Sequence, residues 1–193
     1  MAKRIILAST SPFRKKLLED SGFSFTTLAP EGDEKTISGL PPRELASRRA
    51  EFKALDVARR APPGSVIIGA DQVLGMNGKS YDKAETAIEA TARIREFQGK
   101  THELYSAYCL ALLNKSGSIE VLENRVVTIP MTMKNLRDQE IEDYIATGEW
   151  KGCVGCYRIE GDGRRLFAAI GADLSSIIGL PMTELSSSLR KFM

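Results

Sequence analysis

The sequence predicts an α/β protein, a mixed sheet with flanking helices. Three observations carry that expectation. Strand-like and helix-like runs alternate from one end of the chain to the other. Val66-Ile67-Ile68-Gly69-Ala70 is a continuous apolar run bounded by turn residues, the pattern of a strand covered on both faces. Glu103 to Leu113 and Ile119 to Met131 are long strand-like runs joined by Asn114-Lys115-Ser116-Gly117, which reads as an antiparallel hairpin.

The chain opens with Ile5-Ile6-Leu7-Ala8 running into Ser9-Thr10-Ser11-Pro12, a strand feeding a helix. Each of the three hydroxyl residues suits an N-cap, and Pro12 suits the first helical position. Arg14, Lys15 and Lys16 then put positive charge in a helix's first turn, where acids are the usual choice. A bound anion such as phosphate accounts for them, and so does an ordinary solvated basic face. Phe23 to Leu28 reads as a second strand. Ala29 to Pro42, rich in proline, glycine and charge, reads as a long loop.

Arg43 to Arg60 reads as a helix closed by Pro62-Pro63-Gly64. Lys53 falls within its stripe of small residues, Ala46, Ala50, Ala54 and Val57, either snorkelling outward or aimed into a cleft. Ser65 to Ala70 is the covered strand. Asp71 follows at its C-terminal end, where α/β proteins place ligands. Val73 to Met76 continues the strand, Asn77-Gly78 marks a hairpin turn and Lys79 to Lys83 a loop. Helices are expected over Ala84 to Phe97 and Asp138 to Thr147. Trp150 to Arg165 is a second glycine-rich region. Leu166 to Ile170 and Ser175 to Ile178 read as short strands, and Thr183 to Phe192 as a last helix. One domain over residues 1–193 is expected.

Composition removes several classes. The 193 residues carry a formal charge of only +2, which gives no case for nucleic acid or an acidic membrane. No apolar run is long enough to span a bilayer and none resembles a signal peptide, so a cytoplasmic protein with free thiols is expected. Three cysteines make no disulfide framework. Cys153-Val154-Gly155-Cys156 has redox spacing, but a turn and strand are expected after it instead of a helix. The one histidine, His102, rules out a histidine-based metal site and reads as structural. There is no Walker A sequence and no G-x-G-x-x-G after a strand. What remains is a set of loop charges: Glu34, Asp71, Glu160, Arg14, Lys53 and Lys83. Carboxylates suit a hard cation, and bases suit phosphate.

Leu7-Ala8-Ser9-Thr10-Ser11-Pro12-Phe13-Arg14-Lys15-Lys16-Leu17-Leu18 resembles the opening motif of the Maf family of nucleoside triphosphate pyrophosphatases. The similarity continues in order through Pro30-Glu31-Gly32-Asp33-Glu34, Lys53-Ala54, Gly69-Ala70-Asp71-Gln72-Val73, Lys83, Gly155 to Gly163, and Gly179-Leu180-Pro181. The resemblance implies a mixed α/β fold related to the inosine triphosphatases, with two lobes around a central cleft. It implies hydrolysis of a nucleoside triphosphate to monophosphate and pyrophosphate with a divalent cation, Mg2+ or Mn2+. It places Asp71 at the proton acceptor, Ser9, Arg14, Lys53 and Lys83 on the phosphates, and Glu34 with Asp71 on the metal. Phe13, Gln72 and Glu160 fall at positions that separate substrate subgroups. Gln72 and Glu160 match the 7-methylguanosine triphosphate subgroup, in place of the threonine and glutamine of the dTTP/UTP subgroup, and Phe13 keeps the aromatic character of the 7-methylguanosine subgroup's tryptophan. Ala84 stands where the family usually has proline. Phe13 would stack on the base or, as an alternative, belong to the core with Leu17. The partner implied is the nucleotide, with no nucleic acid and no membrane, and a homodimer is compatible with it. A nucleotide-binding cell-division regulator is a rival class; Asp71, Lys53 and Lys83 argue against it, since binding alone needs no proton acceptor.

Overall fold

The computed structural model describes residues 3–192. Its centre is a seven-stranded mixed sheet in the order β2-β1-β3-β5-β6-β7, with β4 paired to the far end of β3. The strands are β1 Arg4–Ala8, β2 Phe25–Thr27, β3 Ser65–Met76, β4 Lys79–Tyr81, β5 Thr101–Leu113, β6 Ile119–Met133 and β7 Phe167–Ile170. The helices are α1 Pro12–Asp20, α2 Pro42–Ala58, α3 Ala87–Phe97, α4 Asp138–Ala146, α5 Leu174–Ile178 and α6 Met182–Leu189. β1 lies parallel to β2 and β3, and the remaining pairs are antiparallel. A mixed sheet with helices on both faces is the expected class.

Strand periodicity divides the core. Ile6, Ala8, Ile67, Val73, Ala107 and Cys109 point to one face and pack under α2 through Ala46, Ala50, Ala54 and Val57. Ile5, Leu7, Val66, Ile68, Ala70, Tyr108 and Leu110 point the other way, onto Leu18 of α1 and Leu185 and Leu189 of α6. Further along, Leu74, Met76, Leu104, Ile129 and Met131 build a separate core with α3, α4 and Trp150. The change of core falls at Asp71-Gln72-Val73, while β3 and β5 run through it without interruption.

An opening lies on the edge of β3 at this point. β1 follows β3 only as far as the pair Ala8–Gly69, and β4 begins pairing at Leu74–Tyr81. Residues 70–73 of β3 therefore have no strand on that side. The Ser9–Ser11 turn emerges from β1 beside this gap. Ser11 is the N-cap of α1, its hydroxyl accepting from the Arg14 N–H at 3.4 Å, and Pro12 is the first helical residue.

Several sequence expectations need correction. Ser175–Ile178 is helix α5, because Asp173 caps it, its carboxylate accepting from the Ser176 N–H at 3.2 Å. Lys79–Tyr81 is strand β4, closing the hairpin whose turn holds Asn77 at φ 53°. The second strand shrinks to Phe25–Thr27, and the Ala29–Pro42 loop contains a short 3-10 turn, Glu34–Thr36. Tyr157 and its followers form turns with no strand.

Gly69 sets the distance between α2 and the sheet. A Cβ there would meet the Ala50 carbonyl oxygen at 2.1 Å and the Ala54 nitrogen at 2.6 Å, which are backbone atoms that cannot swing aside. Gly69→Ala is expected to lose about 1–3 kcal/mol through overpacking, measured as a lower urea midpoint.

His102 is structural, as expected. It is buried, its ring stacks on Phe97 at 4.7 Å, and Nε2 hydrogen-bonds the Tyr157 hydroxyl at 2.7 Å. Burial pushes its pKa down to about 4. The imidazole is thus neutral in the fold and ionises first in the unfolded chain. Its contribution is complete above pH ~6.5 and is lost as pH falls toward 4, on the order of 3 kcal/mol in all. The single histidine ring signal in NMR is expected to show no titration between pH 8 and 5. A midpoint near 6.5 would contradict this environment.

Candidate active site

Asp71 sits in β3 two residues after Gly69, so its side chain shares the α2 face of the sheet. Lys53 comes down from α2 toward it, because Gly69 lets the helix approach. The Lys53 ammonium lies 2.6 Å from Asp71 Oδ1 and 3.4 Å from the Ala70 carbonyl oxygen. It also contacts Glu34 Oε2, from the 3-10 turn of the acidic loop. Lys53 is 8% and Asp71 6% exposed, so Lys53 points inward to Asp71 and does not snorkel. Burial pulls the Lys53 ammonium below its ordinary pKa, opposed chiefly by Asp71; Arg14 and Lys83 push in the same direction as burial. Asp71 Oδ2 is buried without a hydrogen-bond partner.

The loop that delivers Glu34 is tied to α2. The Glu31 N–H donates to Asp56 Oδ2 at 2.9 Å, and Arg60 reaches the same oxygen at 2.9 Å and the Ala29 carbonyl at 2.8 Å. These hydrogen bonds to a carboxylate hold Asp56 below its ordinary pKa against the opposing effect of burial.

Of the three bases in α1, one turns inward. Arg14 donates from Nε to the Gly179 carbonyl at 2.9 Å, leaving both Nη groups free of that bond, and Asp71 lies within reach of its charge. Lys15 and Lys16 pair with Glu19 and Asp20 on the exposed face of their own helix. The Ser9 hydroxyl, almost buried, accepts from the Ser11 N–H at 3.1 Å and keeps its own proton to donate. Lys83 is exposed in the segment after β4, and its charge acts on both Lys53 and Cys153.

The three positions expected to govern selectivity divide. Gln72, one residue from Asp71, faces the opposite side of the sheet. Its amide donates to the Ser176 and Ile177 carbonyls at 2.8 and 2.9 Å, which fastens α5 to β3. Phe13 is 38% exposed, so the core alternative does not hold. Glu160 is exposed on the glycine-rich loop. Its neighbour Arg158 lies over the Phe13 ring, the guanidinium carbon 5.3 Å from the centroid.

Tyr144, Glu149 and Asp173 support this site and went unnoticed in the sequence. The Tyr144 hydroxyl accepts from the Arg158 N–H at 3.1 Å, and Glu149 Oε2 from the Gly163 N–H at 3.2 Å. Asp173-Leu174-Ser175-Ser176 carried a readable N-cap signal; the other two carried none, since they act over 14 residues. In the C-x-x-C segment burial raises both the Cys153 and the Cys156 thiol, which opposes thiolate chemistry.

Among the described residues no three or more His, Cys, Asp or Glu side chains gather as a metal cage. Glu34 and Asp71 remain as hard oxygen donors, and the unpartnered Asp71 Oδ2 is the atom that lacks a partner. No described helix is long and apolar enough to cross a membrane.

The arrangement brings two carboxylates, a buried lysine, an inward arginine and a second lysine around one gap in the sheet, with an exposed aromatic beside it. Known proteins are similar to this sequence over nearly its whole length. A relative from Brucella suis named 7-methyl-GTP pyrophosphatase is 36% identical over 199 residues, covering 99% of this chain and 97% of that one. One from Rhodopseudomonas palustris named nucleoside triphosphate pyrophosphatase is 38% identical, covering 97% and 93%. One from Anaeromyxobacter dehalogenans named dTTP/UTP pyrophosphatase is 32% identical, covering 99% and 95%. The family model described as Maf-like protein matches residues 4–192, and the chain belongs to the Maf family.

Proposed function

We propose that this chain hydrolyses a nucleoside triphosphate to the monophosphate and pyrophosphate in the gap beside Asp71. The observation that carries the reading is the state of Asp71, a buried carboxylate with Oδ1 fixed by Lys53 and Oδ2 left without a partner. A carboxylate oriented by one oxygen and open at the other is suited to take a proton from an attacking water. The relatives' shared pyrophosphatase names support the same reaction.

A triphosphate brings close to four negative charges, so most of the catalytic work is electrostatic. Arg14, Lys53 and Lys83 supply three positive charges around the gap, and the Ser9 hydroxyl adds a donor at the start of α1. Water attacks the α-phosphorus, Asp71 Oδ2 receives its proton, and pyrophosphate leaves. Glu34 and Asp71 would hold or orient a divalent cation, Mg2+ or Mn2+, and its water, which would neutralise phosphate charge. Two carboxylates and no larger cage are the donor set such an ion accepts when substrate supplies the rest.

For the base, we propose 7-methylguanosine triphosphate. Phe13 offers an exposed ring to a cationic purine, and Glu160 offers a carboxylate to guanine's N–H edge. Gln72 has a different part, since its amide donors are committed to α5; it shapes the subsite by holding that helix in place. The dTTP/UTP name on relatives of similar identity supports a second reading, a pyrimidine triphosphate.

Asp71→Asn is expected to lower pyrophosphate release by about 10²–10⁴-fold, with the circular dichroism spectrum and nucleotide binding retained. Wild-type turnover in this variant would remove Asp71 from the role of base. Because guanine presents a ring N–H and an adjacent amino group to a carboxylate while uracil presents one N–H, Glu160→Gln is expected to shift the kcat/KM ratio of 7-methyl-GTP to UTP toward UTP by about tenfold. An unchanged substrate profile would exclude Glu160 from base recognition.

A further inference from the structure

Arg158 is an arginine without an internal task. Its Nε is buried and has no hydrogen-bond partner, and its guanidinium rests against an aromatic ring that is itself exposed. Its backbone, by contrast, is fixed twice over. The Arg158 N–H is bound by the Tyr144 hydroxyl, and Gly163 packs so closely that a Cβ there would meet the Arg158 carbonyl oxygen at 2.5 Å. A rigid backbone carrying an unpartnered set of planar donors is the arrangement of a recognition residue.

Arg158 and Glu160 flank Ile159, which is 3% exposed and anchored in the core. Arg158 leans over Phe13, and Glu160, two residues further along the same glycine-rich loop, is exposed. Burial raises the Cys153 thiol, and the charges of Arg158, Glu160 and Lys83 bear on it as well.

We infer that Arg158 and Glu160 together read the lactam edge of the base, the C=O adjacent to a ring N–H. Arg158 donates to the carbonyl oxygen and Glu160 accepts from the N–H. Guanine, 7-methylguanine, hypoxanthine, uracil and thymine all present this acceptor–donor pair. Adenine and cytosine present an exocyclic amine next to a bare ring nitrogen, which sets donor against donor and acceptor against acceptor. One pair of residues therefore accommodates both the methylated purine and the pyrimidines in the relatives' names, while rejecting ATP and CTP. A mismatched base leaves the buried Arg158 Nε without an acceptor. The inference rests on the proposed function in one respect, that the base lies against Phe13.

The test compares substrates that differ only at this edge, ITP against ATP and UTP against CTP, by kcat/KM for pyrophosphate release. The wild-type protein is expected to favour ITP and UTP by at least about tenfold. Arg158→Leu and Arg158→Met, which remove the donors and keep an apolar stem over Phe13, are each expected to shrink both ratios by about tenfold. Equal wild-type ratios would overturn the inference without any variant, so a variant that failed to fold would not shield it. A uniform fall in all four nucleotides on substitution would also overturn it, by assigning Arg158 to the phosphates. Calorimetry with the α,β-methylene analogues of ITP and ATP separates this from the hydrolysis reading. Tighter binding of the ITP analogue, lost in Arg158→Met, supports edge reading even where no triphosphate is cleaved; equal affinities overturn it.

Discussion

The contact between Lys53 and Asp71 is the constraint on which the site depends. It joins the long helix to the central strand across the face where the two are closest, and it exists only because Gly69 has no side chain between them. The apolar layer around it is made of alanines, Ala46, Ala50 and Ala54, so α2 rides low on the sheet and the four-carbon stem of Lys53 ends level with the carboxylate. Taking two opposite charges out of water costs several kcal/mol each, and a pair of this kind is rarely retained for stability alone. Here Glu34 supplies a second negative charge to the ammonium. Asp71 thus keeps one oxygen in reserve. The acidic loop, in turn, is positioned by Asp56 and Arg60 from the same helix, so α2 organises both carboxylates.

Much of this was legible in the sequence because it is local. The strand-to-helix opening announced itself through consecutive hydroxyls and Pro12, and the covered strand through its unbroken apolar run. Asp71, Arg14 and Glu34 were legible as charges placed where loops meet elements, Lys53 as a charge inside the small-residue stripe of a helix, and the ordered motifs joined them. The structure brings those four together. What sequence spacing could not convey was side-chain direction. Asp71 and Gln72 are adjacent in the chain and yet face opposite sides of the sheet, because the strand period is two. A motif read as one unit thus divides into a carboxylate held by Lys53 and an amide that fastens α5.

The errors have equally specific causes. Ser175–Ile178 contains β-branched residues that favour a strand, but the cap formed by Asp173 outweighs that weak propensity over so short a segment. Lys79–Tyr81 looks like loop by composition and becomes strand by pairing with Leu74–Met76. Phe13 has the spacing of a core residue, one turn before Leu17, yet it lies at the rim with Arg158 above it. Long-range support from Tyr144 and Glu149 leaves no local trace, since each reaches across a loop to a backbone N–H.

The unbroken passage of β3 and β5 beneath the site has a mechanical consequence. Two cores joined by separate linkers can hinge toward each other about a flexible joint. Here ten consecutive residue pairs, Val66–Leu112 to Gly75–Glu103, tie the strands together across the very point where the cores change. Bending there would break a continuous ladder of backbone hydrogen bonds, so the floor of the gap is stiff. Adjustment to a substrate falls to the surrounding walls: the acidic loop with Glu34, the segment after β4 with Lys83, and the glycine-rich loop with Arg158 and Glu160. Such a protein grips its ligand as fingers close over a fixed palm.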